Sequence, residues 1–306
     1  MRPTFEGFYG IPWLIHKPHF LEMADQLRNY RSGFGDGFDK FMEDVEPEYD
    51  VVSGIAIVKI KGTLSKGRSW WQYFYGGANY GSIERDIRHA VADGNIQGII
   101  LDIDSPGGVC NGCFELADVI RELRAKKPIV TFANGLMCSA ALCLGTAAGK
   151  VVVTKGTCSG SLGVILARWD YSKHNEEIGV QVNYITSGEA KADLYPDAPM
   201  SDPERERLQG EVNSLFQIFL QSVADGRGVD PEKLRASAGD ARVFIGQEAV
   251  AAGLADRVGT LPDVLAELTG DPNPTLPETT GVESNDPAQQ PEQRRTKYAR
   301  VLRNPR

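Results

Sequence analysis

Apolar and polar positions along this chain follow two alternating periods. The β-branched run VVSGIAIVKIKG (51–62) predicts a strand, as do the apolar stretches Gly98–Ile103, Ile129–Ala133, Val151–Thr154 and Gln181–Thr186. Between them lie stretches with helical spacing: Ser82–Asp93, Phe114–Lys126, Ser139–Ala148, a long amphipathic segment Pro203–Asp225, and a short helix Gln247–Gly253 ending in glycine. Strands alternating with helices at this spacing predict βα units and an α/β fold. The ordered domain, 49–268, closes near Leu268.

The two ends differ from this pattern. Residues 1–48 read as an arm, with the apolar tetrad Pro12-Trp13-Leu14-Ile15, a helix-like stretch Pro18–Arg31 and a Gly-punctuated turn at Gly33–Gly37. Inside the domain, Trp70, Trp71, Tyr73, Phe74 and Tyr75 form an aromatic loop with no helical or strand period. The segment 269–306 reads as a flexible linker and basic tail. Residues 271–292 hold five prolines and five acidic residues but no aromatic one, and RRTKYARVLRNPR (294–306) has six basic residues and no acidic one.

Composition narrows the function classes. In 306 residues, 42% are hydrophobic and 24% charged, enough to build a core without disulfides or metals. A net charge of -8 argues against general nucleic-acid binding, which needs a basic surface. No apolar run is long enough to span a membrane and the N-terminus lacks a signal-peptide core, so the expectation is an intracellular protein without a membrane partner. The five cysteines (Cys110, Cys113, Cys138, Cys143, Cys158) suit reduced core thiols, and one Cys-x-x-Cys pair is a weak metal signal. No cofactor or metal is expected.

Three segments carry candidate chemistry. LDIDSPGG (101–108) places Ser-Pro-Gly-Gly between a buried strand and a helix, where Gly107 and Gly108 allow a sharp turn and leave backbone N-H groups open to an anion. Taken alone it is a turn. In ANGLMCSAALCLGTAAG (133–149) a strand ends at Ala133, a Gly-containing turn follows, and Ser139 opens a helix of small residues, beside amides that lack partners. Alone, Ser139 is an N-cap. A nucleophilic serine needs a base, and His16, His19, His89 and His174 all sit in contexts that suit surface or packing roles, although sequence distance leaves a Ser-His-Asp triad open. Lys191, in YITSGEAKADLYP after a predicted strand and a Gly turn, is the better candidate, provided it is desolvated enough to act as a neutral amine.

Taken in order, SPGG, the Ser139 turn, GSLGV (160–164), SGEAKAD and the closing RVFIGQEAVAAGLADRVG (242–259) resemble the signal peptide peptidase A family. These are serine peptidases of the ClpP/crotonase superfold that use a Ser-Lys dyad. The resemblance covers about Ile55 to Gly259 and implies a spiral of β-β-α units. It implies Ser139 as nucleophile, Lys191 as general base and Ser161 as the hydroxyl that orients the lysine. Gly107 and Gly108 match the oxyanion donors, with the Ala140 N-H as a helper.

The absence of an anchor, the N-terminal arm and the tail make the chain look like the phage prohead proteases of the lambda-like type. That likeness implies scaffold or capsid proteins as substrates, in the host cytoplasm at the assembling prohead. Short members of the family resemble half of the double-length ones and take the lysine from a neighbouring subunit, so a homo-oligomeric ring is implied. Two other readings stay open: a structural capsid or scaffold-associated protein retaining an inactive protease fold, and a crotonase-like acyl-CoA enzyme.

Overall fold

The structure, a computed structural model, describes residues 12–17, 19, 47–67 and 77–274, all within the unit Met1–Pro274. Apart from His19, the expected helix Pro18–Arg31 lies outside the described residues. So do the turn at Gly33–Gly37, the aromatic loop 70–75 and the tail from 275 onward.

The main sheet is built from the β-branched runs. Strands β2 (Asp50–Val52) and β3 (Ile55–Lys61) form an antiparallel hairpin through Ser53-Gly54. β3 then runs parallel to β6 (Gly98–Ser105), and β6 runs parallel to β8 (Ile129–Cys138). Helices α1 (Tyr80–Ala92) and α2 (Cys113–Leu123) make the crossovers, with Ile83 and Ile87 of α1 and Leu116 and Ile120 of α2 buried. Parallel strands covered by helices are buried on both faces, which is why they read as continuous apolar runs.

β8 departs from expectation in a way that shapes the site. Asn134-Gly135, read as a turn after Ala133, is instead an irregularity inside one longer strand: Ile103 pairs with Ala133, but Ser105 pairs with Met137. The Asp104 carboxylate accepts the Leu136 N-H at 2.9 Å and bridges the break. The first half of β8 pairs with β9 (Lys150–Val153) and its last three residues pair with β10 (Cys158–Gly160). A bulge re-aims the strand beyond it.

Helix α3 (Ala140–Ala147) follows β8 directly, and all eight of its residues are buried. Its small side chains let it pack between α2 and the long helix α5 (Asp202–Arg227), where Phe219, Leu220, Val223 and Ala224 close the core. Strand β11 (Val243–Ile245) pairs antiparallel with β10. Helix α8 (Leu261–Thr269) sits on the opposite face, with Val264 and Leu265 packed against Ile55, Ile57, Ile100 and Val152. The result is a mixed α/β architecture with parallel strands at its centre.

A second, smaller sheet forms around the glycine turn. Its order is β1 (Trp13–Ile15), β7 (Gly107–Val109), β4 (Leu64–Ser65), β5 (Ala78–Asn79). The tetrad read as part of an arm is therefore built into the fold: Trp13, Leu14 and Ile15 are buried, and Ile15 pairs with Gly107.

One expected strand is absent. Residues 181–186 form no ladder; between Gly163 and Pro203 no residue is buried, and the only regular structure is helix α4 (Ser172–Glu177) and a 3-10 turn at Glu189–Ala192. The Val180, Val182, Tyr184 alternation that suggested a strand is real, but among the described residues no sheet edge pairs with it.

Candidate active site

Ser139 and Ser161 follow the ends of two adjacent parallel strands, since Cys138 at the end of β8 is in register with Gly160 at the end of β10. Both serines hold positive φ, 55° and 56°, a region that costs a non-glycine residue roughly 1–2 kcal/mol. The neighbouring bonds impose it. The Ser139 N-H donates to the Gly160 carbonyl at 2.8 Å, and the Ser139 carbonyl accepts the Cys143 N-H at 3.0 Å as the first bond of α3. The Ser161 N-H donates to the Arg242 carbonyl at 2.7 Å.

The Ser139 hydroxyl is buried and has no hydrogen-bond partner among the described residues. Leaving a buried hydroxyl unpaired costs about 1–3 kcal/mol, so a group in this state calls for a reason. It stands at the start of α3, whose first N-H groups, including that of Ala140, have no partner within the helix. The thiol before it, Cys138, is pushed up to about 12 by burial and the nearby Cys158, so it stays neutral and makes a poor competing nucleophile.

The glycine turn packs directly against this helix start. A Cβ placed on Gly107 (φ 105°) would lie 2.1 Å from the Leu14 carbonyl oxygen and 3.0 Å from both the Ala140 nitrogen and the Cys138 oxygen. A Cβ on Gly108 would lie 1.9 Å from the Leu64 carbonyl oxygen. Only glycine lets these backbones approach so closely. The Gly107 N-H donates to the hydroxyl of Ser105 at 3.1 Å. That buried hydroxyl is a site component not singled out in the sequence, although it stands inside the SPGG motif.

Ser139, Ala140, Ser161, Gly107 and Gly108 are thus carried by neighbouring strand ends and turns. Lys191 is not among them. It sits on the exposed turn Glu189–Ala192, and its amine makes no hydrogen bond or ion pair among the described residues. Within one chain, neither serine hydroxyl is bonded to it.

The histidines offer no base to Ser139. His89 shares a 2.7 Å hydrogen bond with the Tyr49 hydroxyl, His174 lies on the exposed helix α4, and His16 contacts His19 at 3.3 Å. Burial lowers the His16 pKa, with the charge of His19 adding to the effect. The His16 N-H donates to the Pro106 carbonyl, a further tie between the N-terminal strand and the glycine turn. All five cysteines are free, and among the described residues no cluster of His, Cys, Asp or Glu could hold a metal.

A serine on a strained strand-to-helix turn, beside unpartnered amides and with glycine backbone packed against it, defines the class of site that presents a nucleophilic hydroxyl to a carbonyl. In comparison with known proteins, residues 121–273 match the model of peptidase family S49, and this chain belongs to that family. It is 36% identical over 220 residues to the capsid assembly protease C of Escherichia phage lambda, covering 72% of this chain and 50% of that protein. It is 33% identical over 241 residues to the head-tail preconnector protein GP5 of Enterobacteria phage P21, covering 77% and 48%. It is 30% identical over 194 residues to a putative signal peptide peptidase SppA of Enterococcus faecium, covering 62% and 55%. The chain thus spans about half the length of the first two relatives. No helix among the described residues is long and apolar enough to cross a membrane.

Proposed function

We infer that this chain is a serine endopeptidase with a ClpP/crotonase-like spiral fold, and that it acts on scaffold and capsid proteins during phage head assembly. The observation that carries this reading is the buried, unpartnered Ser139 hydroxyl on a strained turn at the start of α3. The likeness to the two phage proteins supports the setting.

In this reading Lys191, as a neutral amine, takes the Ser139 proton while Oγ attacks the substrate carbonyl. The carbonyl π electrons move to oxygen, and the resulting anion accepts hydrogen bonds from backbone N-H groups of Ala140 and of Gly107 or Gly108. Gly107 must then exchange its Ser105 partner for the anion. Collapse of the intermediate breaks the C-N bond, and the lysine ammonium protonates the leaving amine. The freed amine next deprotonates a water, which hydrolyses the acyl ester and regenerates Ser139. Ser161 orients the amine throughout.

Lys191 comes from a second copy in this reading. Among the described residues no base is bonded to the buried Ser139 hydroxyl, whereas Lys191 lies on an exposed segment that also displays Ile178, Val180, Val182, Tyr184 and Ile185. Exposed apolar side chains in such a row mark a contact surface. A ring of copies would cover them and deliver the amine.

Intact-mass spectrometry of wild type and Ser139→Ala, each incubated with reduced, carboxymethylated α-lactalbumin, tests the activity. Fragments absent from the variant are expected. Identical masses from an oligomeric preparation would overturn the peptidase reading in favour of a structural capsid protein. Mixing Ser139→Ala with Lys191→Ala after dissociation tests the second step: recovered cleavage is expected, and none despite subunit exchange would place both groups in one chain.

A further inference from the structure

We propose that Arg168 and Glu204 are positioning residues for Lys191, a role that rests on the reading of Lys191 as the base. Beyond Val164, packed on the core, and Ile165, paired with the Trp13 backbone, the segment 166–203 has no apolar side chain packed on the core, so a catalytic amine carried there needs another means of being held in place. Two charged side chains supply one. Arg168 and Glu204 are the most buried ion pair of the described residues, with side chains 4% and 7% exposed and a 2.8 Å contact between Nε and Oε1.

Their bonds converge on the backbone just after Lys191. The Arg168 guanidinium donates through Nη2 to the carbonyls of Tyr195 and Ala198, each at 2.8 Å, and through Nη1 to its own neighbour Trp169 at 3.3 Å. Glu204 accepts the Leu194 N-H on Oε1 at 3.0 Å. Its Oε2 accepts the Ser201 N-H at 3.4 Å and closes the capping box of α5. The pair therefore ties residues 194–198 to the first turn of a helix whose far end, at Phe219, is core.

The strain falls where this clamp acts. Leu194, whose N-H Glu204 holds, has φ 70°. One residue earlier, Asp193 takes a bidentate pair from Arg207 of α5 at 2.7 Å on both oxygens. From Lys191 to Leu194 is three residues, so the direction in which the lysine stem leaves the turn is set by bonds reaching α5. Planar guanidinium geometry is needed to reach two carbonyls and a carboxylate together, which an ammonium group does not provide.

The test uses Glu204→Gln and Arg168→Lys in the full chain, with kcat and KM measured on reduced, carboxymethylated α-lactalbumin. Melting temperature and sedimentation are followed alongside. The expected result is a fall in kcat of about 10- to 100-fold in each variant, the cost of a reactive group displaced by about an ångström, with KM within about twofold and assembly unchanged. Wild-type kcat in folded variants would overturn the proposal, as would a change confined to KM, or losses of activity that merely track losses of assembly or folding. Lys191→Ala is the separating control. If it retains activity, the underlying assignment of the base fails; if it is inactive while Glu204→Gln and Arg168→Lys are normal, only the positioning role fails.

Discussion

The two halves of the proposed dyad are built by opposite means. Ser139 follows a largely buried parallel strand and opens a helix with every residue inside, so packing and main-chain bonds fix it. Lys191 lies in a segment without a buried residue, held by ion pairs and side-chain bonds to carbonyls. One side of the proposed site is preformed; the other, in the proposed reading, is delivered by a second copy. A strained conformation survives only where its surroundings over-determine it, and the contrast shows which half can store strain unaided.

Four experiments break or sharpen this contrast. The largest effect belongs to Ser139→Ala, which should lower the rate of cleavage about 10⁴-fold or more while leaving the denaturation midpoint unchanged or higher, because an unpaired buried hydroxyl is removed. Next come paired truncations. Phe219→Ala, in the core beside the Phe114 ring, should cost about 3–5 kcal/mol in urea unfolding, whereas Ile185→Ala, at 101% exposure, should change it by less than about 0.5 kcal/mol. Sedimentation should reverse the order, with Ile185→Asp dissociating assembled copies.

The glycines repeat the lesson at lower energy. Gly107→Ala places a methyl 2.1 Å from a carbonyl oxygen at φ 105° and should cost about 2–4 kcal/mol, together with activity. Gly188→Ala, at φ 94° with nothing within 4 Å, should cost only about 1 kcal/mol.

The smallest effect is in acid. Burial raises the Asp256 carboxyl, but the Arg227 guanidinium and the Val151 N-H more than offset this, so its pKa lies below the ordinary 3.8. The Arg207 guanidinium likewise lowers Asp193. A depressed folded value means stability that is present above the unfolded value and lost as pH falls through the folded one. Urea titrations below about pH 4 should therefore show a decline that Asp256→Asn flattens. Asp193→Asn should leave global unfolding nearly unchanged.

These contrasts also explain what could be seen in the sequence. Buried parallel strands announce themselves, and β6, β8 and β9 start within a residue of where the apolar runs place them, whereas the run 51–62, read as one strand, folds at Ser53-Gly54 into the β2–β3 hairpin. The order of SPGG, Ser139 and GSLGV carried the family, and in space these segments do lie side by side. Asn134-Gly135 misled because the same dipeptide serves a turn or a bulge, and only the partner strand decides which. Residues 181–186 misled because alternation records what a segment can pair with, not whether a partner lies in the same chain. Arg168 and Glu204 gave no signal at all. Single charges have no period, and their meaning comes from being 4% and 7% exposed and in contact.

The pairing of β1 with β7 bears on the order of folding. Ile15 must wait for Gly107, and the loop closed by that contact encloses β2, β3, α1 and β6. Closing so long a loop is entropically slow compared with joining the parallel strands inside it, so late docking of the N-terminal strand is the expected order. Until it does, the glycine turn beside Ser139 lacks the Leu14 and His16 backbone that braces it, and the proposed oxyanion wall is unfinished. If Ser139 is the nucleophile proposed above, docking of this strand is a step that arms it.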